Sequence, residues 1–141
     1  MKLFIIIFSV CVLIYVLILS INFFSSPQGI GLQNKELQAC PNTPNCVSSQ
    51  SNGEHFIEPL NTDMKKLRKL LQDLPRVKII EDTDNYLYAT FSTPLMRYID
   101  DVEFLYDDKS KLIHVRSASR IGHSDFGKNR ERVEMIRSAL E

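Results

Sequence analysis

An unbroken apolar block close to the amino terminus constrains this chain more than any other feature. Leu3–Phe24 reads LFIIIFSVCVLIYVLILSINFF, with Ser9, Ser20 and Asn22 as its clearly polar members and no charge. As a helix the block extends ~33 Å at ~1.5 Å per residue, enough to cross a ~30 Å hydrocarbon core. Inside lipid the backbone must hydrogen-bond to itself, so a helix is expected despite the many β-branched residues. Three fates compete. A cleaved signal has an apolar stretch of about 7–15 residues and a small-residue cleavage site, whereas this block is longer and INFFSSPQG has no A-x-A pattern. A lipoprotein needs a small residue just before its modified cysteine, but Cys11 follows Val10 deep in the run. The expectation is an uncleaved transmembrane anchor over residues 1–24. Lys2 lies at one end and nothing basic follows closely at the other. The positive-inside rule then keeps the N-terminus cytoplasmic and exports the rest to the periplasmic or extracellular side.

The charge balance narrows the function classes. The chain has 17 basic and 17 acidic residues, and Lys2 is the only charge before Lys35. Without residues 1–24, 16 basic residues face 17 acidic ones, a net charge of −1. Phosphate backbones call for a positive surplus, so a nucleic-acid partner is not expected. Ser25–Gln38 (SSPQGIGLQNKELQ) has Ser, Pro and Gly without periodicity and reads as a linker over residues 25–39. Residues 40–141 remain as one small domain.

Asn61–Leu74 predicts a helix, because Met64, Leu67, Leu70, Leu71 and Leu74 recur at three- and four-residue steps. Asn61 or Thr62 can cap it, Asp63 suits its first turn, and Pro75 ends it. Strand candidates follow at Val77–Glu81, Tyr86–Ser92, Asp101–Tyr106 and Lys111–Ser117, with Leu95–Ile99 ambiguous. Asp82–Asn85 and Asp107–Ser110 read as turns, and such short turns favour antiparallel neighbours. Asn129–Leu140 carries Val133, Ile136 and Leu140 on one helical stripe. The predicted fold class is α+β: an N-terminal transmembrane helix, then a small antiparallel four-stranded sheet packed with two helices.

Two segments carry candidate chemistry. Cys40 and Cys46 stand six positions apart around two prolines that bend the loop. In an oxidising compartment the first reading is a disulfide. The alternatives are a metal site and a nucleophile. His55, His114 and His123 are available as ligands, but no C-x-x-C or H-x-x-x-H spacing exists, so no metal and no cofactor is expected. A nucleophilic Cys46 would need His55 or His123 as base and a reduced thiol.

The second segment runs from Arg116 to Arg132, the densest polar stretch, with two glycines and possible helix caps at Ser124, Asp125 and Asn129. Amides at a helix start beside Arg and Ser make an anion site conceivable. The competing reading is internal pairing. Residues 75–110 carry 4 basic and 8 acidic residues, residues 111–141 carry 7 and 4. In an antiparallel hairpin Asp100 and Asp101 would face Arg116 and Arg120, satisfying all four without a ligand. The candidate anion or polar cluster comprises Asp100, Asp101, Arg116, Ser117, Ser119, Arg120, Asp125, Asn129 and Arg130. Tyr86, Tyr88, Phe91 and Phe104 read as packing residues.

CPNTPNCVSSQ (Cys40–Gln50), His55 with Pro59 and Leu60, DDVEF (Asp100–Phe104) and RSASRIGHSDFGKNRERVE (Arg116–Glu134) together resemble domain-of-unknown-function family number 1499 over roughly residues 38–140. The family occurs in bacteria and plants. The resemblance implies one compact domain whose marked positions are Cys46, Ser48, Ser49, Asp100, Asp101, Arg116, Ser117, Ser119, Arg120, Asp125, Asn129 and Arg130, and it implies no reaction. Where the family often has a tyrosine this chain has His123.

Three functions are consistent with these readings. The first is a membrane-anchored, exported binding or structural domain without catalysis, holding the Cys40–Gln50 segment and a small anion through its polar cluster. The second is a hydrolase or transferase with Cys46, Ser48 or Ser49 as nucleophile, His55 or His123 as base and Arg116 and Arg120 as anion clamp. It requires a hydroxyl or thiol in reach of an imidazole beside a pocket. The third is an envelope scaffold that uses an exposed sheet face to bind an envelope protein.

Overall fold

The computed structural model describes residues 1–141. Helix α1 (Lys2–Phe24) uses the whole apolar block, and its side chains are exposed except those of Ile18 and Leu19, half-buried, and Asn22, buried. With a mean hydropathy of 3.1 it is long and apolar enough to cross a membrane, a test that a signal sequence also meets. Two short strands follow, β1 (Leu32–Gln33) and β2 (Glu36–Leu37). They pair as a hairpin through Asn34 and Lys35, both left-handed, which suits a tight turn. Strand β3 (Cys46–Ser48) comes next, then helix α2 (Met64–Asp73). Asp63 caps α2, its side chain accepting from the Lys66 amide at 2.8 Å, so the cap falls one or two residues later than Asn61 or Thr62.

Strands β4 (Val77–Asp82), β5 (Tyr86–Ser92), β6 (Ile99–Asp107) and β7 (Leu112–Ser119) and helix α3 (Lys128–Leu140) complete the chain. The sheet order is β3-β7-β6-β5-β4 and every neighbouring pair is antiparallel. The sheet therefore has five strands, not the expected four. The added strand, β3, lies in the cysteine segment. Three residues are too few to display alternation, and its partner β7 is far along the chain.

Alternation gives the sheet two unlike faces. Val47, Leu87, Ala89, Phe91, Val102, Phe104, Ile113 and Val115 build the main core with Leu67 and Leu71 of α2 and Val133 and Ile136 of α3. This is the apolar face that two amphipathic helices require. The opposite face carries Tyr86 and Tyr88 of β5, Asp101, Glu103 and Leu105 of β6, Arg116 and Ala118 of β7, and Cys46 and Ser48 of β3. It is not open to solvent. The segment read as a linker lies across it, with Leu37 buried against Tyr86, Tyr88 and Leu105 and with Ile30 alongside. The free sheet face on which a scaffold would depend is thus occupied by residues 25–38.

Candidate functional site

Cys40 and Cys46 form a disulfide, with Cα atoms 5.7 Å apart, and Cys11 is the free cysteine. The bond removes Cys46 as a nucleophile. It closes a loop whose end, β3, is held by β7 in register Cys46–Ala118, Val47–Ser117 and Ser48–Arg116. Inside the loop, Asn45 donates from Nδ2 to the Gly122 carbonyl at 2.7 Å and accepts from the Thr43 hydroxyl at 2.7 Å.

The nine residues of the candidate cluster do not form one site. Asp100 and Asp101 are consecutive on a strand, so their side chains leave opposite faces of the sheet. Each gathers a separate network.

On the helix side Asn129 is the hub and is fully buried. Its Oδ1 accepts from the Ser117 hydroxyl and from Arg132 Nη1, both at 2.6 Å. Its Nδ2 donates to the Asn45 carbonyl at 2.9 Å, to Ser119 Oγ at 3.0 Å and to Asp125 Oδ2 at 2.7 Å. Asp125 also accepts from the Gly127 and Asn129 amides, which closes the start of α3. Arg132 completes the group by pairing with Asp100 and by placing its guanidinium 5.1 Å from the Phe91 ring centroid. Every member has a partner, so this network joins α3, β7 and the disulfide loop. Arg130 stands apart and donates to the Glu54 carbonyl at 2.8 Å.

On the covered face two ion pairs lie side by side. Arg116, 2% exposed, donates from Nη1 to Glu103 Oε2 at 3.2 Å, and Glu103 is wholly buried. Glu103 Oε1 accepts from the Tyr86 hydroxyl and the Gly31 amide, both at 2.8 Å. Arg120 binds Asp101 through Nε and Nη2, at 3.0 and 2.8 Å, a two-pronged contact that Tyr88 joins by donating to Asp101 at 2.6 Å. Burial pushes Glu103 above the usual carboxylate range, against the opposing pull of Tyr86, Gly31 and Arg116. Burial and then the Asp101 bond push Tyr88 up to about 12, and burial raises Tyr86 as well. The Asp101 bond raises Arg120 further, so it stays a cation.

The expected partners are thus half right. Arg120 takes Asp101, but Arg116 takes Glu103 and Asp100 goes to Arg132. Glu103, Tyr86, Tyr88 and Arg132 were not among the candidates. The signal was present as Tyr-x-Tyr on β5 and Asp-x-Glu on β6, two polar rows at the two-residue spacing that puts them on one face.

The same charges hold the segment that follows α1. Arg120 Nη1 donates to the Ser25 carbonyl at 3.1 Å, Arg116 Nη2 to the Gln28 carbonyl at 3.4 Å, and Glu103 receives the Gly31 amide. Between this strap and the disulfide loop lies an open cavity of about 430 Å³, with Arg116, Arg120, Asp101, Ser119, Cys40 and Asn45 in its wall. Arg116 Nε is buried and has no acceptor.

The hydrolase constellation assembles only in part. His55 Nδ1 lies 2.9 Å from the Cys46 carbonyl, but the Cys46 sulfur is bonded. His123 is exposed. Ser48 is buried and its hydroxyl accepts from the Gln50 amide at 3.2 Å. Ser49 Oγ does meet an imidazole, that of His114, at 3.1 Å, while also accepting from the Val115 amide at 2.9 Å. Neither Ser49 nor His114 lines the 430 Å³ cavity.

Residues 36–140 match a family described as protein of unknown function (DUF1499). No curated protein and no solved structure matches the chain.

Proposed function

The chain belongs to the DUF1499 family, whose function is unknown, and from its own geometry we propose that it is a membrane-anchored, exported binding domain without catalysis. Its ligand is a small anionic group, phosphate- or carboxylate-like, received between the strap and the disulfide loop. Helix α1 supports the anchor by length and apolarity. The Cys40–Cys46 bond supports export, since disulfides persist in oxidising compartments.

The observation that carries the ligand reading is Arg116. It lines a cavity shared with Arg120, and it keeps a buried Nε–H with no acceptor. A guanidinium has five N–H donors in a planar fork suited to oxyanions. The Nε–H itself has almost no accessible surface, so an oxyanion would meet the parts of the two guanidiniums that line the cavity, Arg120 being the more exposed at 13%.

Two measurements on the full-length protein test this reading. Liposome flotation after alkaline carbonate washing reads the anchor: retention supports it, release removes it. Thermal unfolding in detergent with and without inorganic phosphate or citrate reads the ligand. An anion at tenfold its Kd stabilises by about 1.4 kcal/mol. A shift of several degrees, smaller in Arg120→Lys because the fork is lost, is the expected result. Equal unfolding temperatures with every anion would eliminate the pocket's role.

A further inference from the structure

The loop between β5 and β6, Thr93-Pro94-Leu95-Met96-Arg97-Tyr98, does not sit beside the sheet alone. It climbs along the last turns of α1. Asn22 Nδ2 donates to the Met96 carbonyl at 2.8 Å, and the Tyr15 hydroxyl donates to the Leu95 carbonyl at 3.3 Å. This explains why Asn22 is the buried residue of α1. From Tyr15 to Phe24 is roughly 13 Å along the axis at ~1.5 Å per residue. The Met96 carbonyl lies beside Asn22, about 3 Å of axis from Phe24, and the long Tyr15 side chain reaches to Leu95, so the loop tip lies along the last turns of the helix rather than beyond its end.

We infer that the Pro94–Arg97 loop dips into the headgroup–acyl boundary beside the anchor, making a second membrane contact of the domain. The inference rests on α1 being a membrane anchor. Three observations point to lipid as the occupant. Leu95 is 70% exposed and projects from a loop that α1 holds at membrane depth. Irregular backbone is tolerated in hydrocarbon only where its polar groups are satisfied. Here Tyr15 and Asn22 bond the Leu95 and Met96 carbonyls, while the tip amides and Asn22 Oδ1 have no protein partner, which puts the tip at the headgroup boundary, where water and lipid polar groups reach it. The stem is closed as well, with Thr93 N–H donating to the Tyr98 carbonyl and Tyr98 N–H to Thr93 Oγ1, both at 3.0 Å. Exposed Arg97 and Tyr98 follow the tip, residue types that place a polar end among headgroups and an apolar body below them.

The test uses the full-length chain in vesicles with an environment-sensitive thiol label at one position at a time. The native thiol Cys11 reports the anchor. Leu95→Cys reports the loop and Lys109→Cys, at the far end of β6, reports the aqueous end, both in a Cys11→Ser background. Leu95 is largely exposed and Lys109 is exposed, so neither change disturbs packing. The expected result is quenching of the Cys11 and Leu95→Cys labels by bromine on lipid acyl chains, with loss of quenching by aqueous iodide, and the reverse for Lys109→Cys. A Leu95→Cys label quenched by iodide while Cys11 stays lipid-quenched overturns the loop and leaves the anchor standing. Shielding of Leu95→Cys from both quenchers also overturns it, because another protein segment then covers the tip. Iodide quenching at Cys11 overturns the anchor and the loop together.

Discussion

Tyr88 holds its phenolic proton because the hydroxyl donates to Asp101 on the covered face of the sheet, where the phenolate would be both buried and next to a carboxylate. Its ordinary value of 10.0 rises to about 12. A folded-state value above the unfolded one contributes stability that is complete below the unfolded value and vanishes as pH climbs through the folded value. Stability should therefore decline between about pH 10 and about pH 12, the window set by Tyr88. Ultraviolet titration of the phenolate band checks this. Part of the tyrosine absorbance change should lag behind the exposed tyrosines and coincide with loss of near-ultraviolet circular dichroism. In Tyr88→Phe the Tyr88 share of the lagging component should disappear, leaving that of Tyr86, whose hydroxyl is held by Glu103.

The strap shows what a stretch of chain without periodicity can become. Residues 25–38 have no amphipathic rhythm, because their order comes from backbone groups bound by distant charges: Ser25 and Gln28 carbonyls on Arg120 and Arg116, the Gly31 amide on Glu103. Such bonds leave no trace in local sequence. Strands β4 to β7 and helices α2 and α3 were legible for the opposite reason, since each buries one apolar face at its own period. The disulfide was legible from two prolines and a short spacing, whereas β3 was not. The candidate site was legible as a list but not as a division, because deciding that Asp100 and Asp101 part company requires the register of β6 against β7. The strap also offers a sharp test. Gly29 has φ +62°, and a Cβ there would come within 3.2 Å of Arg116 Nη2. Left-handed backbone costs a residue with a side chain roughly 1–2 kcal/mol. Gly29→Ala should lower stability in urea by about that much and speed amide exchange at Gly31, while the amides of α3 keep their protection.

At the scale of the whole molecule the sheet acts as a partition. Asn129 and its partners fasten α3 and the disulfide loop from the helix side. Glu103 and its partners fasten the strap, and with it α1, from the other side. The two hubs share no hydrogen-bonding residue, and the backbone of the sheet separates them. Energies of sites without shared partners add to within about 0.3–0.5 kcal/mol. Glu103→Gln leaves Arg116 as an uncompensated buried charge, a loss on the order of 3 kcal/mol. Asn129→Ala strands several buried partners, a loss of about 2–3 kcal/mol. Denaturant unfolding of the two single variants and the double variant in detergent should give a sum, with no coupling beyond that margin. A coupling energy above about 1 kcal/mol would mean that the faces communicate. The channel would then be the disulfide loop, because Asn45 bonds Asn129 on one side and lines the arginine cavity on the other. Without coupling, an anion entering that cavity would tighten the strap and α1 while α3 stays indifferent, and any signal from the ligand would be directed toward α1.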